Sequence, residues 1–190
     1  MTVKMQQALN RLFASRRCRA FTLIEILCVV VILGICSAVI IPQIGSRDDL
    51  RVSAAARVVV ADVMYAQNRA ISTQQKHFLN FSGQQYTLRS RISDTSSMST
   101  VIHPITKSDY ITGFGTSPST SGLEGCTLNN WSFGSGINVL GFDELGAPFA
   151  YNSSTGAITA LTTAATIQVR CGSQIVTISI EPFTGESSVN

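Results

Sequence analysis

One stretch constrains this chain more than any other. Residues 21–41 read FTLIEILCVVVILGICSAVII, with a single charge, Glu25, and two hydroxyls, Thr22 and Ser37. Wound as an α-helix, the stretch would be roughly 31 Å long, about the thickness of a bilayer's hydrocarbon core. The leader before it holds Lys4, Arg11, Arg16, Arg17 and Arg19 and no acid. A basic flank ahead of a span keeps the N-terminus cytoplasmic and sends the remainder across the membrane. The expectation is therefore a single-pass protein: leader 1–20, span 21–41, and a body beyond it.

Charge elsewhere is sparse. The formal net charge of +3 and the pI near 8.7 belong to the leader, because all 11 acids and the other nine basic residues fall in residues 21–190. Charged residues are 13% of the chain, against about 25% in ordinary soluble proteins. The body has no clustered Lys and Arg of the kind a nucleic-acid surface needs, so no nucleic-acid partner is expected. Such a lightly charged chain suits a wall, surface or assembled protein better than a free cytosolic enzyme.

Three kinds of N-terminus fit a basic flank and an apolar run. A cleaved signal peptide would have a shorter apolar region and no acid in it. A lipoprotein site would need small and apolar residues before its Cys, whereas Ser15-Arg16-Arg17 precede Cys18. An uncleaved anchor would let Glu25 reach the headgroups. Glu25 is the discriminating residue, since a carboxylate in a span is costly and normally has a partner. A cut before Phe21 would supply one: the new α-amino group of a neighbouring subunit.

The run Arg19-Ala20-Phe21-Thr22-Leu23-Ile24-Glu25-Ile26 resembles the prepilin cleavage motif of type IV pilins and type II secretion pseudopilins. The resemblance implies cleavage by a prepilin peptidase between Ala20 and Phe21, and N-methylation of Phe21. It implies that Glu25 forms an assembly ion pair with a cleaved N-terminus, and that Pro42 kinks the helix. Other pilins or pseudopilins and an inner-membrane assembly platform are the implied partners, with the body periplasmic. The family's residue before the cut is usually Gly. Ala20 is the next smallest, so slower cleavage is expected.

Past the span, Pro42 disfavours continued helix. Ser46 and Asp49 have the spacing of a capping box, and the Asp pair suits a helix N-terminus. Val52, Ala55, Ala56, Val59, Val63, Ala66 and Ala70 recur at three and four, one apolar stripe of an amphipathic helix within 42–75. Its alanines let a flat β-sheet approach. A coiled-coil seam is the alternative, but no strict heptad is sustained.

Residues 76–190 read as strands. Residues 77–81 and 86–91 form a hairpin about Gly83, and residues 93–136 are Ser/Thr/Gly-rich loops and edge strands. Residues 137–142 and 149–151 flank an Asp143–Gly146 turn. Residues 166–171 and 174–180 flank Gly172-Ser173, which suits a type II′ turn. Ile167, Val169, Val176, Ile178 and Ile180 would share a buried face. The fold class is α+β: a long N-terminal helix whose second half packs on an antiparallel β head. Ala56-Arg57-Val58, residues 67–71 and the terminal Pro182-Phe183-Thr184-Gly185-Glu186 make the head resemble the minor pseudopilin H and FimT-type minor pilins. That resemblance implies a two-sheet sandwich.

Candidate chemical sites are few. Cys28 and Cys36 lie in the span. Cys126 and Cys171 face an oxidising compartment and either pair or stay free thiols. His77 and His103 belong to no zinc-spaced cluster, and no phosphate loop, dinucleotide fingerprint or nucleophile elbow is present. Neither a cofactor nor a metal is expected. The leading expectation is a structural subunit, a minor pseudopilin of a type II secretion filament or a minor type IV pilin. The contrasting one is an uncleaved, membrane-anchored periplasmic enzyme or binding protein.

Overall fold

The described residues of the computed structural model are 21–44, 47–93, 96–134 and 136–190, without the side chains of residues 39–44 and 119. The leader, Ala20 and Ser46 lie outside them. The chain divides between Ser46 and Arg47 into two units.

The first unit contains α1, Leu23–Ile44. Thr22 opens it. The Glu25 amide donates to the Thr22 carbonyl at 3.1 Å and lies 3.3 Å from Thr22 Oγ1, which takes up a donor the first turn leaves orphaned. Glu25 stands in that first turn, where the helix macrodipole favours a negative charge. Beyond it the large side chains are exposed all round, from Phe21 to Ile35. The helix runs past Pro42 to Ile44 although the proline has no N–H to donate to the carbonyl four residues back. Among the described residues no helix is long and apolar enough to cross a membrane. Side chains of α1 are described through Ala38, and residues 23–38 rise only roughly 24 Å.

The second unit begins with α2, Asp48–Thr73. Arg47 is its N-cap and makes no side-chain capping bond, and Asp48 and Asp49 stand in the first turn, where the helix dipole favours acids. The helix stops at Gln74, whose left-handed backbone (φ 52°) returns its N–H to the Ala70 carbonyl. All seven stripe residues, Val52 to Ala70, are buried. Four of them are alanines, and that lets strands approach the helix closely.

Those strands form two antiparallel sheets. The first has the order β3-β2-β1-β6-β7-β8, with β4 also on β2; the second has the order β11-β10-β9-β5. Their ranges are β1 Lys76–Ser82, β2 Gln85–Arg91, β3 Ser99–Thr100, β4 Ile111–Gly113, β5 Cys126–Ser132, β6 Val139–Phe142, β7 Pro148–Tyr151, β8 Ile158–Ala160, β9 Ala165–Cys171, β10 Gln174–Ile180 and β11 Ser187–Val189. The architecture is thus α+β with a two-sheet head. The β1–β2 register closes at Ser82↔Gln85 and the β9–β10 register at Cys171↔Gln174. Gly172 takes φ 59° as the first residue of its two-residue loop, the position where a type II′ turn requires glycine.

Ile167, Val169, Ile178 and Ile180 are buried and Val176 is half-buried, so β9 and β10 alternate as their period-two pattern predicts. With α2, Leu79, Phe81, Tyr86, Leu88 and Phe142 they make the main core. A smaller cluster of Phe78, Val139, Phe149 and Tyr151 is capped by Met98 and by the Arg91 guanidinium, 5.3 Å from the Phe78 ring centre. The Phe149 ring occupies the space a side chain at Gly141 would need.

Candidate functional site

The N-terminal site is built by one helical turn. Phe21 is 71% exposed, Thr22 caps, and Glu25 follows one turn later on the same side of the helix. Leu23–Ile44 contains no Lys, Arg or His that could pair with Glu25.

The head carries polar clusters that hold it together. Asp62 is a half-buried member of α2 and accepts three hydroxyl hydrogen bonds. Tyr86 Oη and Thr112 Oγ1 donate to Oδ2 at 2.6 and 2.8 Å, and Tyr110 Oη donates to Oδ1 at 2.8 Å. Burial and then the Asp62 charge push both phenols well above their ordinary range, so they remain donors. Tyr110 also stacks on Tyr65 of α2 at 5.3 Å. These contacts fix the segment around β4 to the helix.

Gln67 does the same for two turns. Its Nε2 donates to the Gly146 carbonyl at 2.9 Å and to the Thr184 carbonyl at 2.7 Å. The first turn is shaped by Asp143, whose Oδ1 accepts from the Leu145 and Ala147 amides. The second is the C-terminal Pro182–Gly185 turn, where Phe183 is held at φ 71°.

Cys126 and Cys171 stand directly opposite each other on β5 and β9 and form a disulfide. The two sequence-level alternatives are resolved in favour of the bond. Cys28 and Cys36 are free and exposed on α1. His77 is buried on β1, and its Nδ1 lies 2.9 Å from the Gln75 carbonyl, so that nitrogen carries the proton. Burial, and secondarily the Arg69 charge, pulls its pKa below the ordinary 6.5, against the opposing effect of the Gln75 bond. His103 lies in the loop after β3. Trp131 is half-buried beside Phe81, ring centres 5.6 Å apart, and so joins the core.

Among the described residues no three His, Cys, Asp or Glu side chains are placed to hold a metal. Sequence reasoning passed over Asp62 and Gln67, which lie off the apolar stripe of α2. The available signal was Tyr86 and Tyr110: a buried phenol needs a hydroxyl partner, and Asp62 is an acid on the flank of a buried helix.

Both parts of the chain are pilin-like. The N-terminal part carries the prokaryotic N-terminal methylation motif, matched over residues 15–41. The fold is similar to that of a solved structure, the minor pseudopilin EpsH from the type 2 secretion system of Vibrio cholerae, with a TM-score of 0.50. The match covers 74% of this chain and 96% of that one at 12% identity, a likeness of fold. No curated protein sequence matches the chain.

Proposed function

We propose that this chain is a minor pseudopilin, a structural subunit of the periplasmic filament of a type II secretion system. The observation that carries the reading is the conjunction of Phe21–Glu25 at the head of an apolar helix with a pseudopilin-like head on the same chain. On this reading a prepilin peptidase cuts between Ala20 and Phe21, and Phe21 is then N-methylated. The single-pass helix stores the subunit in the bacterial inner membrane with its N-terminus cytoplasmic and its head periplasmic. An assembly platform extracts it, and α1 packs into the filament core.

Glu25 then pairs with the α-amine of a neighbouring subunit and sets register, the use of an enclosed ion pair that is best attested. Pro42 lets the helix bend between core and head. The subunit does no chemistry of its own.

The deciding measurement is the intact mass and N-terminal sequence of the membrane-extracted protein. The expected chain begins at a methylated Phe21. Ala20→Gly should mature at least as fast as the native chain. Ala20→Leu should stay uncut, because the peptidase subsite excludes bulk. A native chain that retains its leader would instead be an anchored periplasmic protein.

A further inference from the structure

Between β3 and β4 the chain forms a small loop whose shape depends on one imidazole. The Ile105 and Thr106 amides both donate to His103 Nδ1, at 3.2 Å each. Backbone bonds close the loop around them: the His103 amide to the Ser108 carbonyl at 2.8 Å, the Lys107 amide to the His103 carbonyl at 3.0 Å, and an Ile102↔Asp109 bridge. Lys107 is left-handed at φ 57°. The ring lies 4.6 Å from that of Tyr110, which Asp62 and Tyr65 hold in place. At the tip, Ile105 is 83% exposed.

We propose that this loop is a proton-operated switch, closed when His103 is neutral and opened when it is protonated. An Nδ1 that accepts two N–H groups carries no proton, so the closed loop requires the tautomer with hydrogen on Nε2. Protonation turns the acceptor of these two amides into a donor facing them, while the Thr106 and Ser108 hydroxyls are engaged with each other at 2.8 Å. Flipping the ring puts a carbon there and loses both bonds as well. Imidazole is the side chain that changes charge between pH 5 and 8.

Charged groups of both signs surround the ring. Tyr110 offers a ring face to a cation, and Asp109 of the same loop and Asp62 of α2 are acidic. Lys107 of the loop opposes a second positive charge, and Arg69 of α2 is bonded through Nη1 to Tyr65 on the far side of the ring stack. Opening changes how Ile102 and Ile105 are presented. The exposed tip is therefore one surface in the neutral state and another in acid, in a head whose proposed compartment takes its pH from outside the cell. The switch operates whether or not the chain enters a filament.

The test is hydrogen exchange of the Ile105 and Thr106 amides in the full-length protein in detergent, at pH 7.5 and pH 5.0, corrected for intrinsic rates. Loss of the acceptor the two amides share should speed exchange at least several-fold, up to about tenfold, at pH 5.0. His103→Asn keeps an acceptor that does not titrate and should stay slow at both values. His103→Phe keeps the stack without the acceptor and should be fast at both. Equal protection of these amides in the native protein at the two pH values would overturn the switch. So would an acid response that persists in His103→Asn, which would assign it to His77 instead. Both criteria stand whether or not the protein assembles.

Discussion

The two helices of this chain solve opposite problems. α1 is apolar all round and exposed as far as Ala38, whereas α2 is apolar along a single stripe that is wholly buried. A helix with one apolar stripe finds its partner in its own domain. A helix apolar on every side has no domain surface to satisfy it and calls for lipid or for copies of itself. The partner of α2 is written into residues 76–190, whereas the large side chains of α1 from Leu23 to Ile35 are exposed. Glu25 sits in the exposed first turn of its helix. Asp62, the comparable acid of α2, has three donors within its own fold.

The largest effect that would sharpen this contrast is on assembly. Glu25→Val should insert and accumulate in the membrane with an unchanged head, yet crosslink to other pilin-like subunits and support secretion at a small fraction of the native level. Glu25→Gln should fall between, since it keeps hydrogen bonding and loses charge. Full secretion and native crosslinking by Glu25→Val would break the comparison by showing that α1 needs no charged partner.

Next in size is the Cys126–Cys171 bond. The two cysteines are 45 residues apart, and a loop of that size contributes about 4 kcal/mol through the unfolded state. Reduction should lower the head's melting temperature by roughly 10 °C and leave membrane insertion untouched, which differential scanning calorimetry with and without reductant would show.

A smaller effect compares the helices directly. Ala66→Leu forces bulk between α2 and the sheets and should cost about 1–3 kcal/mol of head stability. Val30→Leu on α1 should leave the same melting transition where it is.

The smallest is the pH response of His77. Its folded pKa lies below the unfolded value near 6.5, so above pH 6.5 both states are neutral and its contribution is level. As the pH falls below 6.5 the unfolded chain takes up the proton first, and stability declines until the folded pKa is passed. A urea titration series between pH 7.5 and 5 should show this slope in the native protein and a shallower one in His77→Gln.

What could be read from the sequence follows the range of the interactions involved. The stripe of α2 and the hairpins at Gly83 and Gly172 depend on residues close in sequence, and period and turn chemistry reveal them. The motif at Phe21–Glu25 is equally local. The Cys126–Cys171 pair is different: β5 and β9 are neighbours in space but separated by three strands that belong to the other sheet. No spacing rule foresees that, so pairing and free thiols stood level. Asp62 collects donors from β2, from the residue ahead of β4 and from β4 itself, and Gln67 reaches two turns 79 and 117 residues away. Each looked like an ordinary polar residue off the stripe until the strands were placed around it. At the start of α2, the capping-box spacing of Ser46 and Asp49 falls partly outside the described residues, and the helix begins at Asp48 with Arg47 as its N-cap.

The same disulfide has a mechanical side. A subunit that is pulled by its N-terminal helix takes the load at Arg47, where the head begins. The bond between β5 and β9 removes the intervening chain from that load path. If the head yields under tension, the enclosed segment, with the whole of β6, β7 and β8, cannot pay out, and the stretched molecule is shorter by roughly 150 Å than its reduced counterpart. The oxidised head is thus a tether of limited extension. A filament built from such tethers would transmit displacement along its length with less slack at every subunit.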